Sequence, residues 1–241
     1  MKAPIQVISS MATKAVLAEL SRTYEAHSGR KVTLESAGGV DVAGRVRAGE
    51  VFDVVVLASG ALDALLATGH VLADSKVDLM RSGVSVAVRS GSPRPDIESE
   101  ASLQRAVLAA RTIGYSTGPS GVELARLFER WGVAERVHER VVTPPPGVPV
   151  GTLVARGEVE LGFQQLSELL HVEGIDVVGP LPAAIQIVTT FSAGVGASSQ
   201  EPDSARALIS FMASKAAVDA QRRHGMDPVG HRSPRDVTAT P

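Results

Sequence analysis

"GYSTGPSGVELARLFERW", Gly114 to Trp131, joins an apolar run to a periodic one through six small or polar residues. Leu124, Leu127, Phe128 and Trp131 stand at i, i+3, i+4 and i+7, with Glu123, Arg126, Glu129 and Arg130 turned the other way. That spacing predicts an amphipathic helix. The run just before it, "TIGY" (112 to 115), reads as a short buried strand, so the whole segment is strand, loop, helix. The loop is "STGPSG", and it also contains the letters G-x-S-x-G.

The same unit recurs outward from this stretch. "IQVI" (5 to 8), "VTLE" (32 to 35), "DVVVL" (53 to 57), "VSVAV" (84 to 88), "ELGF" (160 to 163) and "IQIVTTF" (185 to 191) read as strands. Several are apolar without alternation, as strands covered on both faces are. Helices are predicted from about Ala12 to His27, with Val16, Leu17, Leu20 and Tyr24 on one face, from Val40 to Ala48, and over "ALDALLAT". Strands alternating with helices predict an α/β fold with mainly parallel sheets. The tail "DPVGHRSPRDVTATP" has little apolar periodicity and is expected to fray.

Four strands run into a loop of small or polar residues and then a helix start: "ISSMAT", "ESAGGV", "YSTGPSG" and "GFQQLS". In open α/β sheets ligands bind outside the carboxyl ends of strands, where unpaired N–H groups and helix dipoles favour an anion. The candidate ligand-binding residues are therefore Ser9, Ser10, Ser36, Gly38, Gly39, Ser116, Thr117, Ser120, Gln164 and Gln165. Taken singly, each loop also reads as plain helix punctuation: Ser9, Ser10 and Thr13 as N-caps, Gly38 and Gly39 as a turn. Four together favour binding. Arg45, Arg47 and Arg81 could pair with carboxylates, but each also reads as a solvated surface arginine.

Other chemistries find little support. Lys and Arg number 24 against 26 Asp and Glu, a formal charge of −2, so no bulk attraction to nucleic acid or an anionic membrane is expected. No run of apolar residues is long enough to span a bilayer. Cysteine is absent, which removes thiolate nucleophiles and Cys-type metal sites. The six histidines are scattered, and "GVGASS" (194 to 199) is a broken dinucleotide motif, so no cofactor and no metal are expected. A nucleophile elbow at Ser116 needs the helix directly after the serine, yet Gly118 and Pro119 intervene; Asp176 or Asp219 with His224 would satisfy triad order only. A hydrolase is disfavoured. The start "MKAPIQVISS" lacks the apolar core of a secretory signal, which predicts a cytoplasmic protein as the sequence stands, and a periplasmic one if an export signal has been removed.

Read in order, "VISSMATKAVLAEL", "VAGRVRAGEVFDVVVLAS", "ALDALLATGHV", "VSVAV", "VARGEVELGF", "GIDVVGPLP" and "SARALISFMASKAAVDAQRRHGM" resemble the molybdate-binding branch of the type II periplasmic solute-binding proteins. The resemblance covers nearly the whole chain. It implies a two-lobed fold, each lobe a mainly parallel sheet flanked by helices, with two crossing segments and a small anion held in an interlobe cleft. Lobe one is expected over 1–84 and 193–241, lobe two over 85–192. The family's first-loop serine matches Ser9 or Ser10; its serine-rich second loop is here "SAGGV", keeping Ser36 but placing Gly38 and Gly39 at the contacts. Its tyrosine is replaced within "LGFQQ", most nearly by Gln165. Gln164 and Gln165 carry donors and acceptors, which suits a ligand with more varied hydrogen bonding than a tetrahedral oxyanion. "STGPSG", "PPPGVPVG" and "GFQQ" further resemble an aconitate-isomerase-like side branch, implying as the alternative a cofactor-free isomerase that moves a proton within a tricarboxylate. No residue is singled out as the base. An ABC transporter permease is an implied partner only if the chain is exported.

Overall fold

The computed structural model describes residues 3–145 and 147–230. In chain order the elements are β1 (Ile5–Ser10), α1 (Lys14–Ser28), β2 (Val32–Ala37), α2 (Gly39–Arg47), β3 (Val54–Ala58), α3 (Ser59–Ala67), β4 (Val77–Arg89), α4 (Glu100–Ala109), β5 (Ile113–Tyr115) and α5 (Pro119–Arg130). There follow α6 (Ala134–Val137), β6 (Val141–Val142), α7 (Val150–Arg156), β7 (Leu161–Gln165), α8 (Leu166–Leu169), β8 (Ile175–Pro180), β9 (Val188–Val195), α9 (Pro202–Met212), α10 (Val218–Arg223) and β10 (Asp227–Pro228). The chain forms two compact units: one runs up to Arg81 and resumes at Thr190, the other is Ser82–Thr189. Both passages between them fall within strands, β4 and β9.

In unit one, β1 lies between β2 and β3, parallel to both, and β9 closes the other side of β3 antiparallel. Alternate residues of β1 enter different cores. Ile5 and Val7 pack with Val16, Leu17 and Leu20 of α1 and Leu208, Ile209 and Met212 of α9. Ile8 packs with Val42 and Val46 of α2 and Leu62 and Leu65 of α3. Burial on both faces is why β1 reads as unbroken apolar sequence. Because α1 leads to β2 on one side of β1, and α2 returns across the opposite face to β3 on the other, the carboxyl end of β1 is the topological switch point of this sheet.

No side chain caps α1. A cap is worth about 1 kcal/mol, whereas burying Val16, Leu17 and Leu20 contributes about 1.5–3 kcal/mol each. Packing therefore holds the helix, and the serines ahead of it are not needed for capping. Gly29, at φ 69°, ends it in the left-handed conformation.

In unit two, β7, β5 and β6 run parallel, and β4 lies antiparallel to both β7 and β8. Val86, Leu103, Val107, Leu124, Phe128 and Phe163 form its main core. The opposite face of β5 and β7 carries glycines in register, Gly114 and Gly162. A Cβ on Gly162 would stand 2.4 Å from Val154 Cγ2, so α7 sits against the sheet at a distance that only a bare backbone allows. That contact carries the start of α7 to the end of β7.

Two short segments differ from expectation. Asp227 and Pro228, at the head of the expected frayed tail, pair antiparallel with Arg81 and Met80; the tail from residue 231 lies outside the described residues. "IQIV" opens with a 3-10 turn at Ala183–Ile185, and the strand begins only at Val188.

Candidate functional site

The carboxyl end of β1 is lined with hydroxyls. Ser9 is fully buried and lies opposite Ser36 in the β1–β2 ladder, the two Oγ atoms 2.8 Å apart. Ser10 is also buried and heads the 3-10 turn Met11–Thr13 without a side-chain cap, its Oγ 3.5 Å from Thr13 Oγ1. Thr13 Oγ1 donates to the Ser10 carbonyl at 3.0 Å. The capping alternative therefore fails for Ser9, Ser10 and Thr13: none makes a side-chain capping bond.

Gly38 is the N-cap of α2 and Gly39 its first residue. Neither has positive φ, so no backbone strain requires glycine at either position. A Cβ on Gly39 would meet nothing closer than Leu57 Cδ2 at 3.8 Å. The helix start thus presents bare N–H groups. A Cβ on Gly38 would stand 3.2 Å from Asp41 Oδ2, so an anion at this start would share it with the Asp41 carboxylate.

In unit two the carboxyl ends of β5 and β7 lie side by side, Tyr115 opposite Phe163. "STGPSG" starts at the end of β5: Gly118 is the N-cap of α5, Pro119 and Ser120 its first residues. A Cβ on Gly121 would come within 1.6 Å of the Ser116 carbonyl oxygen, so Gly121 lets the loop fold back onto the helix start. Ser120 is buried, Ser116 half-buried and Thr117 exposed. Among the described residues none of these three hydroxyls makes a side-chain hydrogen bond, leaving them available to a ligand. Tyr115, not a candidate from sequence, packs its ring edge-on against Phe128 at 5.9 Å, and burial holds its phenol above the usual range.

The two glutamines at the end of β7 behave differently. Gln164, 3% exposed, is taken up at both ends: Oε1 accepts Gly151 N–H at the start of α7 (3.1 Å), and Nε2 donates to Glu168 Oε1 (2.9 Å). Gln165, equally buried, donates from Nε2 to Thr189 Oγ1 at 2.7 Å, while its buried Oε1 has no partner among the described residues. An unpaired buried acceptor costs about 1–3 kcal/mol, which a ligand bearing a donor would relieve. Glu168 was also not a candidate. It is half-buried, and burial pushes its carboxyl up to about 7, opposed by the hydrogen bond from Gln164. The sequence signal was an acid set among apolar residues in "QLSELL".

The remaining candidates have other duties. Arg45 is held by Glu35 and Glu50. Arg47 and Arg81 are exposed. His224 pairs with Glu19 at 2.8 Å, Asp176 bonds Ser90 and pairs with Arg94, and Asp219 is exposed, so no triad assembles around Ser116. In "GVGASS", a Cβ on Gly196 would stand 2.1 Å from the Phe52 carbonyl oxygen and Ser199 Oγ donates to Asp53 Oδ1 at 2.6 Å, which makes the motif a packing feature. No group of three or more metal-ligating side chains occurs among the described residues, and no described helix is long and apolar enough to cross a membrane.

The family model for bacterial extracellular solute-binding proteins matches residues 5–227. An aconitate isomerase from Pseudomonas sp is 39% identical over 233 residues, covering 93% of this chain and 88% of that protein. Among solved structures, the periplasmic molybdate-binding protein of Azotobacter vinelandii superposes with a TM-score of 0.77 at 20% identity, covering 92% of this chain and 98% of that one. The sulfate-binding protein of Mycobacterium tuberculosis H37Rv gives 0.79 at 17% identity, covering 100% and 93%. These likenesses establish the type II periplasmic-binding-protein fold.

Proposed function

The chain belongs to the bacterial extracellular solute-binding protein family, and from that premise we propose that it binds a small anion, an oxyanion or an organic polycarboxylate. The candidate contacts within unit one are Ser9, Ser10, Ser36 and the Gly38–Gly39 helix start, and those within unit two, taken by itself, are Ser116, Thr117, Ser120 and Gln165. The observation that carries this reading is the hydroxyl pair formed by buried Ser9 and half-buried Ser36 at the switch point of the unit-one sheet. Hydroxyls and helix-start N–H groups can hold an anion without a buried lysine or arginine. Gln164 acts as scaffold, tying α7 to the end of β7. If the chain is exported, the partner is an ABC transporter permease; if it stays in the cytoplasm, the ligand is used there. Cell fractionation with an antibody to the chain separates the two.

A thermal-shift screen with molybdate, tungstate, sulfate, phosphate, citrate, cis-aconitate and trans-aconitate tests the binding reading. A ligand at a hundred times its Kd raises stability by about 2.7 kcal/mol, a shift of several degrees. No response across the panel would remove the proposal.

A second reading, an isomerase acting on an unsaturated tricarboxylate, is favoured by the 39% identity to an aconitate isomerase over nearly the whole chain and by the acceptor left unpaired on Gln165. Molybdate and sulfate offer no donor to that oxygen, whereas a partly protonated organic acid does. A change in absorbance at the alkene band, opposite in sign for cis- and trans-aconitate and converging on one equilibrium value, is the expected sign of turnover.

A further inference from the structure

We propose that Glu168 is the proton carrier of that isomerisation, with Gln164 as the residue that positions its carboxyl. The inference rests on the isomerase reading and supplies the base that the reading lacks.

Every other described carboxylate of unit two is either exposed or paired with an arginine: Glu100 with Arg130, Asp176 with Arg94, and the rest on open surface. Glu168 is neither. Its hydrogen-bond partner is the neutral amide of Gln164, which is oriented in turn by Gly151 N–H. The chain of contacts, from the first turn of α7 through Gln164 to Glu168, fixes one carboxyl oxygen and leaves Oε2 without a hydrogen bond among the described residues. A partly buried carboxyl without a cation is unfavourable for folding and calls for another explanation.

Its position fits one. α8 begins directly after Gln165, so Glu168 stands at the carboxyl end of β7, the edge of unit two that also carries "STGPSG" at the end of the neighbouring parallel strand β5. The nearest titratable residue along the chain, His171, is exposed. A carboxyl that ionises near neutral pH is matched to taking a proton from carbon and returning it.

The step balances with one group. The Glu168 carboxylate takes a proton from the saturated carbon next to a substrate carboxylate. The freed electron pair forms the new double bond, and the old one delivers its pair to the far carbon, which takes the proton back from Glu168. One C–H bond breaks, one forms, and no oxidant or reductant is needed. Charge developing on the substrate carboxylates is met by donors such as Ser116, Thr117 and Ser120.

The test uses the full chain with cis- and trans-aconitate as probes, following interconversion and uptake of solvent deuterium by proton NMR. Glu168→Gln, folded by circular dichroism, is expected to bind within severalfold of the wild type and to lose roughly 10²- to 10⁴-fold in turnover. Turnover within tenfold of wild type overturns the proposal while leaving the isomerase reading intact. A wild-type chain that binds an aconitate without converting it overturns both, and leaves the binding reading standing. Should Glu168→Gln fail to fold, the pH profile decides. Wild-type turnover should rise through a limb near pH 7, and Gln164→Met, which removes the hydrogen bond that lowers the Glu168 pKa, should move that limb upward. An unmoved limb rules out the positioning role and the proposal with it.

Discussion

Ser9 and Ser36 face each other across the β1–β2 ladder with their hydroxyl oxygens 2.8 Å apart, at the point where the strand order of the unit-one sheet reverses. Each oxygen keeps capacity for a further hydrogen bond. A hydrogen bond to a charged ligand is worth about 1.5–3 kcal/mol, so Ser9→Ala is expected to weaken anion binding by roughly tenfold to a hundredfold. The same substitution removes the hydrogen bonds of Ser9 Oγ to Ser36 Oγ at 2.8 Å and to the Ser10 carbonyl at 3.3 Å, and should lower stability by about 1–3 kcal/mol. Calorimetric titration and a melting curve on the same sample separate the two effects.

Gly121→Ala should act on the other unit. Its Cβ would overlap the Ser116 carbonyl oxygen, so the "STGPSG" loop must move off the start of α5. The expected loss is about 1–3 kcal/mol in stability, with a ligand-induced thermal shift smaller than that of wild type. Gly39→Ala is the control, because a methyl fits there without a close contact. If the two variants melt alike, the steric account of the loop is wrong.

The acceptor left unpaired on Gln165 predicts selectivity. Gln165→Met removes it and should weaken citrate, which carries a hydroxyl donor, by more than it weakens sulfate, which carries none. Equal losses for the two anions would show that the oxygen does not read the ligand.

Glu168 predicts the sign of a pH effect on stability. Burial raises its pKa from the ordinary carboxylate range to about 7. Between those two values the unfolded chain has lost a proton that the folded chain keeps, so this group favours folding less as pH rises through that window, and its effect is flat above it. Glu168→Gln has no such loss. Wild type should therefore lose more melting temperature than the variant between pH 5 and pH 8, and parallel curves would contradict the assigned burial.

What the sequence made legible follows from local physics. The alternation of apolar runs with 3.6-periodic segments is written into residues 5–28, 53–67 and 112–131, because parallel strands covered on both faces and amphipathic helices leave strong patterns. The serine loops were visible for the same reason. Short pairings were not: β6 and β10 have two residues each, too few for any period, and exist through their neighbours. The division of labour between Gln164 and Gln165 was equally hidden. It depends on the bare backbone of Gly162 letting α7 approach β7, and on Thr189, 24 residues further along the chain. Glu168 lay outside the candidates because its environment is tertiary; only the burial of its neighbours makes it unusual.

The most direct test of the central claim is a calorimetric titration of the wild-type chain with molybdate, sulfate, citrate and trans-aconitate, repeated with Ser9→Ala. Saturable heat of one anion per chain from at least one of the four, weakened at least tenfold in the variant, is the predicted result. No saturable heat from any of them, or an affinity that Ser9→Ala leaves unchanged, would contradict an anion site built on the carboxyl end of β1.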